Sequence, residues 1–184
     1  MIILLVIVAV VVLALIFMYN GLINKRNQVE NAWANIDVQL KKRSDLIPNL
    51  VSSAKQYMQY EESILTRIVD LRNSISGMTS KSERIEAESQ LSGLMGQFAG
   101  TVENYPDLKA SDNFQMLMRS LNEVEAQLSA SRRAFNAAVL SHNNAVQMFP
   151  TNIMASAMAM KLETSFQATE AERQNVNVDD LFNA

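Results

Sequence analysis

The chain has 184 residues, with 16 Lys and Arg against 19 Asp and Glu, one His and no Cys, and a formal net charge of −3. That inventory excludes a disulfide framework, a thiolate metal site and a multi-His cage, and its acidic balance leaves no electrostatic footprint for nucleic acid. Five Gly and three Pro are too few for an all-β sandwich, while 48% hydrophobic residues with 19% charged ones argue against global disorder.

Residues 1–24 carry no charged side chain. Met1 to Met18 is an unbroken apolar run, MIILLVIVAVVVLALIFM, and with Tyr19 it would span ~28 Å as a helix, close to a hydrocarbon core. Residues 1–19 are therefore predicted to form a transmembrane anchor, with the amphipathic ring of Tyr19 at the interface. A cleaved signal peptide fits less well, because the run has no basic n-region and no A-x-A-like site follows it. Lys25 and Arg26 are the first basic side chains after the span, and the positive-inside rule then puts the N-terminus outside and the body in the cytoplasm. Lys41, Lys42 and Arg43 point the same way. They lie ~33 Å beyond Tyr19 along a straight helix, too far to read the surface field, and the cluster reads as a solvated helix face beside Asp37 and Asp45 or, alternatively, as a partner site.

From Val29 to Ile75 a heptad repeat places Trp33, Leu40, Ile47, Ala54, Glu61, Ile68 and Ile75 at a, and Ile36, Arg43, Leu50, Tyr57, Ile64 and Leu71 at d. Only Glu61 and Arg43 are not apolar, which predicts a long helix with coiled-coil-like packing. The phase holds across Pro48. One helix from Tyr19 to Ser76, ~85 Å long, is expected, kinked where Pro48 cannot donate to the Ser44 carbonyl. A break at Asp45–Pro48 is the alternative. Trp33 is expected to be buried against the third helix or a neighbouring protomer.

Ser76 to Ser80 reads as the first turn, with Ser80 or Ser82 capping a second helix that runs to about Asn104. Ala87, Leu91, Leu94, Phe98, Val102 and Tyr105 lie near one face. Gly93, Gly96 and Gly100 on or beside it fit either a weak helix or a close approach of another helix, and close approach is the expectation taken. Tyr105-Pro106-Asp107 is the second turn. Ser111 or Asp112 caps a third helix whose stripe runs Phe114, Leu117, Leu121, Val124, Leu128, Ser131, Phe135, Ala138, His142, Ala145 and Phe149, and it stops at Pro150. The fold class predicted is all-α: an N-terminal transmembrane helix, then a long antiparallel three- to four-helix bundle over residues 20–150. Residues 151–163 read as a short Met-rich apolar helix and 164–184 as a polar, acidic tail.

Arg43 and Glu61 stand ~27 Å apart on the expected helix and cannot pair within it. A buried charge needs a partner on another helix or protomer. Glu103, Asp107, Glu123 or Glu125 would serve Arg43, and Arg132 or Arg133 would serve Glu61. His142 sits among apolar residues and reads as a core imidazole; a catalytic alternative would pair it with Ser141 or Ser131. No P-loop, G-x-G-x-x-G, H-E-x-x-H or G-x-S-x-G occurs, and no pair of E-x-x-H motifs for a di-iron site. No enzyme activity, cofactor or metal is therefore expected.

Three stretches carry a resemblance to a known family: YNGLINKRNQVENAWANIDVQLKKRSDLIPNLV (Tyr19–Val51), RRAFNAAVLSHNNAVQMFPTNI (Arg132–Ile153), and a tail containing Ser165-Phe166-Gln167-Ala168 and ending near Val178-Asp179-Asp180-Leu181-Phe182. In sequence and order they resemble the LemA family. Residues 78–112 match only loosely, and His142 stands where the family pattern usually has Tyr. The resemblance implies a single-pass protein of the bacterial inner membrane with a cytosolic helical bundle, and no established activity.

The function expected is a membrane-anchored, self-associating scaffold that works by protein contacts, because two shorter helices cannot cover an 85 Å one. Met154, Met158 and Met160 offer an adaptable contact surface. The tail is expected either to lie on a neighbouring protomer, with Phe166, Leu181 and Phe182 as apolar anchors and Asp179 and Asp180 facing a basic stretch of its long helix, or to be a solvated segment that keeps the protein soluble. Partners expected are the lipid bilayer and further copies of the chain, and no nucleic acid. The competing reading is an accessory docking subunit of another membrane protein, such as a protease or transporter; a hydrolase using Ser141 and His142 is a third.

Overall fold

Two stretches of apolar heptad pattern meet in a hairpin, and that hairpin organises the body. The computed structural model describes residues 1–166, which hold helix, turn and irregular backbone only. In chain order the elements are α1 (Ile2–Lys55), a 3₁₀ turn (Gln59–Glu61), α2 (Glu62–Ser76), α3 (Lys81–Val102), α4 (Pro106–Ala110), α5 (Asp112–Gln147) and α6 (Thr151–Ala157). The fold is all-α, with a long apolar N-terminal helix leading into packed helices.

Helix α1 continues through Pro48 for 54 residues. Pro48 has no N–H, so the Ser44 carbonyl four residues earlier loses its helical donor. Arg72 of α2 supplies the missing bond: its Nε–H points at both the Ser44 carbonyl, 3.2 Å away, and the Ser44 hydroxyl, 2.9 Å away. The helix is thus carried past the proline by a side chain of the helix beside it.

The single helix expected to reach Ser76 is corrected by the structure. The chain reverses over residues 56–61, with no Gly or Pro to mark the place. The amides of Tyr57 and Met58 both donate to the Ala54 carbonyl, at 3.0 and 2.9 Å, and the Glu61 amide donates to Met58 at 3.2 Å. Met58 is buried, whereas Tyr57 and Tyr60 are exposed. The buried Met58 plugs the inside of the reversal while the two tyrosines take its wet side. The heptad phase survives because α1 and α2 each bury a stripe against neighbouring helices, so the periodicity alone cannot tell a hairpin from a continuous helix.

The described residues fall into two compact units, one of residues 1–41 and 124–165 and one containing residues 42–123. In the first, Leu22, Val29, Ile36 and Leu40 of α1 are buried, as are Leu128, Phe135 and Val139 of α5. The Trp33 and Phe135 rings pack with centroids 5.5 Å apart, tilted by 59°. Trp33 thus packs against α5, the helix expected to cover it, and is half-buried within the chain.

The second unit gathers the end of α1, then α2, α3, α4 and the start of α5. Its core includes Ile47, Leu50, Ala54, Met58, Leu65, Ile68, Leu91, Phe98, Leu108 and Phe114. Phe98 and Phe114 meet edge to face at 6.3 Å. Pro106 opens α4, where its missing N–H costs nothing. The close helix approach expected at Gly93, Gly96 and Gly100 is not there: a Cβ at any of the three would meet nothing within 4 Å. These glycines lie exposed on α3, so they weaken the helix without admitting a neighbour.

Candidate functional site

The apolar run forms the first third of α1 and is long and apolar enough to cross a membrane. No part of its most apolar stretch is buried inside the protein. Side chains of this kind left wholly uncovered on one helix need another apolar medium. Cover begins where the run ends: Met18 is half-buried and Leu22 is 1% exposed. Tyr19 is exposed, Lys25 half-buried and Arg26 exposed. This segment is a candidate membrane anchor continuous with the body.

Arg43 is 1% exposed, the largest of the fully buried side chains among the described residues. Its Nη1–H groups face a Glu88 carboxylate oxygen at 3.4 Å and the Ser92 hydroxyl at 3.0 Å. Glu88 is itself buried. One partner is therefore on α3, within the chain: Glu88, which is not among the acidic residues expected to serve Arg43. The reason is the early hairpin. A first helix reaching Ser76 would set Arg43 opposite residues near the start of α5. The reversal at 56–61 instead lays α3 beside the end of α1 and brings Glu88 to it. Glu61 is half-buried at the 3₁₀ turn and is not a buried seam charge, so it has no need of Arg132 or Arg133.

His142 is buried, and its Nε2–H donates to the Lys161 carbonyl at 3.1 Å; a carbonyl can only accept, which fixes the tautomer. Next to it, Asn143 clasps Glu163 at two points: its Nδ2–H donates to the Glu163 carbonyl and its Oδ1 accepts from the Glu163 amide, both at 2.9 Å. The segment after α6 is thereby tied back along α5. Arg26, His142, Met158, Met160, Lys161 and Glu163 line a cavity of about 240 Å³ in this unit. Met154, Met158 and Met160 are each half-buried. Phe166 is 6% exposed and so is packed within the chain. Asp179, Asp180, Leu181 and Phe182 lie outside the described residues.

The sequence reading missed Glu88, Ser92, Arg72 and Asn143. A signal existed for two of them: Glu88 and Ser92 stand four apart, directly beside Ala87 and Leu91 on the apolar face of α3, where a polar pair demands a charged neighbour. No comparable signal marks Arg72, because its role depends on where the hairpin places it. Among the described residues no group of three or more His, Cys, Asp or Glu side chains comes together to hold a metal ion. The imidazole of His142 is committed at Nε2 to a backbone carbonyl, and Ser141 is half-buried.

Comparison with known proteins adds the relatives. A family model described as the LemA family matches residues 32–179. "Protein LemA" of Metamycoplasma hominis is 28% identical over 165 residues, covering 89% of this chain and 75% of the relative. "Magnetosome protein MamQ 2" of Paramagnetospirillum magneticum is 23% identical over 91% of this chain and 71% of the relative. "Magnetosome protein MamQ" of Magnetospirillum gryphiswaldense is 22% identical with the same coverage.

Proposed function

Because the chain belongs to the LemA family, we propose that it acts as a single-pass, membrane-anchored helical scaffold that works by contacts between proteins and performs no chemistry of its own. The observation that carries the reading is α1: one unbroken helix holds an uncovered apolar span at one end and the core of the packed body at the other. An anchor joined by helix rather than by a loose linker holds the helical segments packed in its own unit at a set distance from the bilayer, which a scaffold needs and a diffusing enzyme does not. Polar groups inside the helices support it, since the buried Arg43 and His142 and the half-buried Asn143 each serve a contact that holds helices or segments in register. Lys25 and Arg26 favour a cytoplasmic body and an N-terminus outside, in a bacterial inner membrane.

Self-association is the part of this reading most open to measurement. The full chain, purified in detergent, should give a particle mass by light scattering that is a fixed multiple of the protomer after subtraction of the micelle. A homogeneous monomer at all concentrations would reject self-association.

A further inference from the structure

We propose that the turn between α5 and α6, residues 148–153, dips into the interfacial layer of the same bilayer that α1 crosses, so that the body touches the membrane at two places. The proposal rests on the reading of residues 1–19 as a membrane span. Trp33 and Phe135 mark one level of the antiparallel α1–α5 pair, and Arg26 and His142, lining one cavity, mark a second. Both pairs keep the same register. Tyr19 lies fourteen residues before Trp33, and Phe149 fourteen after Phe135, each on the order of 20 Å along its helix. The helical rise holds almost to Phe149, because the Met148 amide still donates to Asn144 at 2.8 Å. The turn therefore lies level with Tyr19, where the apolar span ends.

What the turn presents at that level is apolar. Phe149 is 79% exposed, Met148 62% and Ile153 64%. Between Arg133 and Lys161 the chain has no Asp, Glu, Lys or Arg, and α1 has none before Lys25. This end of the unit is thus uncharged on both helices. Charge returns one layer up, where Arg26 and Lys161 line the same cavity together with Glu163. Large apolar side chains at the tip with basic groups about 10 Å behind them match the order of a bilayer interface, acyl boundary first and phosphates above. The backbone of the turn suits that medium too. The Thr151 hydroxyl lies 2.6 and 2.9 Å from the Ala145 and Met148 carbonyls, and the Asn152 amide donates to Met148 at 2.9 Å. The carbonyls of Asn144, Ala145 and Met148 thus have protein donors close by, which eases their place at the edge of a membrane.

The occupant is lipid rather than a second copy, because the patch is continuous with the span of α1, and whatever covers Phe149 must also meet Tyr19. The test uses the chain's single Trp. In a Trp33→Phe background, which keeps an aromatic ring against Phe135, Trp is placed singly by Phe149→Trp, Ile153→Trp, Tyr19→Trp or Leu140→Trp. Each full chain is reconstituted into phosphatidylcholine–phosphatidylglycerol vesicles with and without lipid brominated near the top of the acyl chains. The proposal requires strong loss of emission, with a blue-shifted maximum, at positions 149, 153 and 19, and neither at 140, which is about as exposed as 153 but lies nearer the body. Solvent-like, unquenched emission at 149 and 153 with quenching at 19 would overturn it and leave the span reading standing. Absence of quenching at 19 would overturn the span reading and the proposal with it. A blue-shifted but unquenched signal from the Phe149→Trp chain that reverts to solvent-like emission as protein is diluted in lipid would assign the patch to a second copy, against the proposal.

Discussion

Arg43 shows how a single charge can be a constraint on the whole packing of a helix. It is buried at a d position of α1, where the heptad asks for a leucine, and it faces a carboxylate that is buried as well. Removing one member of such a pair takes a buried partner from the other, so Arg43→Ala should destabilise the protein by about 3–5 kcal/mol. Replacing both, with Arg43→Met and Glu88→Leu together, should recover most of that loss, since apolar groups of similar volume need no partner; Ser92 can turn its hydroxyl back to the carbonyl of residue 88. Urea unfolding of the detergent-solubilised chain, followed by circular dichroism, measures both. A double variant no more stable than the single one would mean that the pair is not the reason for the loss.

At the level of elements, the proline in α1 and the glycines in α3 take opposite meanings from those their residue types suggest. Pro48 does not end its helix, because Arg72 meets the carbonyl it orphans. If that is what Arg72 does, its value depends on the proline. Arg72→Met should cost about 1–2 kcal/mol in the native chain. The cost should shrink in a Pro48→Ala background, where the amide of the substituted residue can bond the Ser44 carbonyl directly. Stabilities of the four combinations form a double-mutant cycle, and strict additivity would show that Arg72 acts otherwise. The exposed glycines of α3 have open space around them, so Gly96→Ala should stabilise by roughly 0.5–1 kcal/mol and raise the melting temperature; a lower one would mean that something packs there. The sequence showed the helical class, the apolar span, the turns at Ser76–Ser80 and Pro106, and the stop at Pro150, because Pro, Gly, caps and period are local signals. It hid the reversal at 56–61, because Gln56, Tyr57, Met58, Gln59 and Tyr60 include no local breaker and the apolar phase runs on. The same reversal is what brings Glu88 to Arg43. Buried contacts are set by which helices lie side by side, and a single turn decides that.

For the whole molecule the open question is assembly, and the charge distribution suggests where to cut. Residues 167–184 hold four acidic side chains, Glu170, Glu172, Asp179 and Asp180, against Arg173, which accounts for the entire net charge of −3. The rest of the chain is balanced and carries a basic excess along α1, in Lys25, Arg26, Lys41, Lys42 and Lys55. An acidic tail meeting that basic stretch on a second copy would set register and partner, while apolar anchors such as Leu181 and Phe182 would supply most of the affinity. The cut must fall after Phe166, because Phe166 is buried and the Asn143–Glu163 clasp lies just before it; a shorter chain would disturb the body and confuse folding with assembly. Deleting 167–184 should therefore leave the melting temperature of the body close to that of the full chain while reducing the particle mass in detergent. Raising the salt on the full chain should loosen the particle in the same direction, since exposed charges more than a Debye length apart (about 8 Å at physiological salt) are largely screened. If the shortened chain keeps the full particle mass, at low salt and at high, the tail has no part in assembly and the contacts must be sought on the helices themselves.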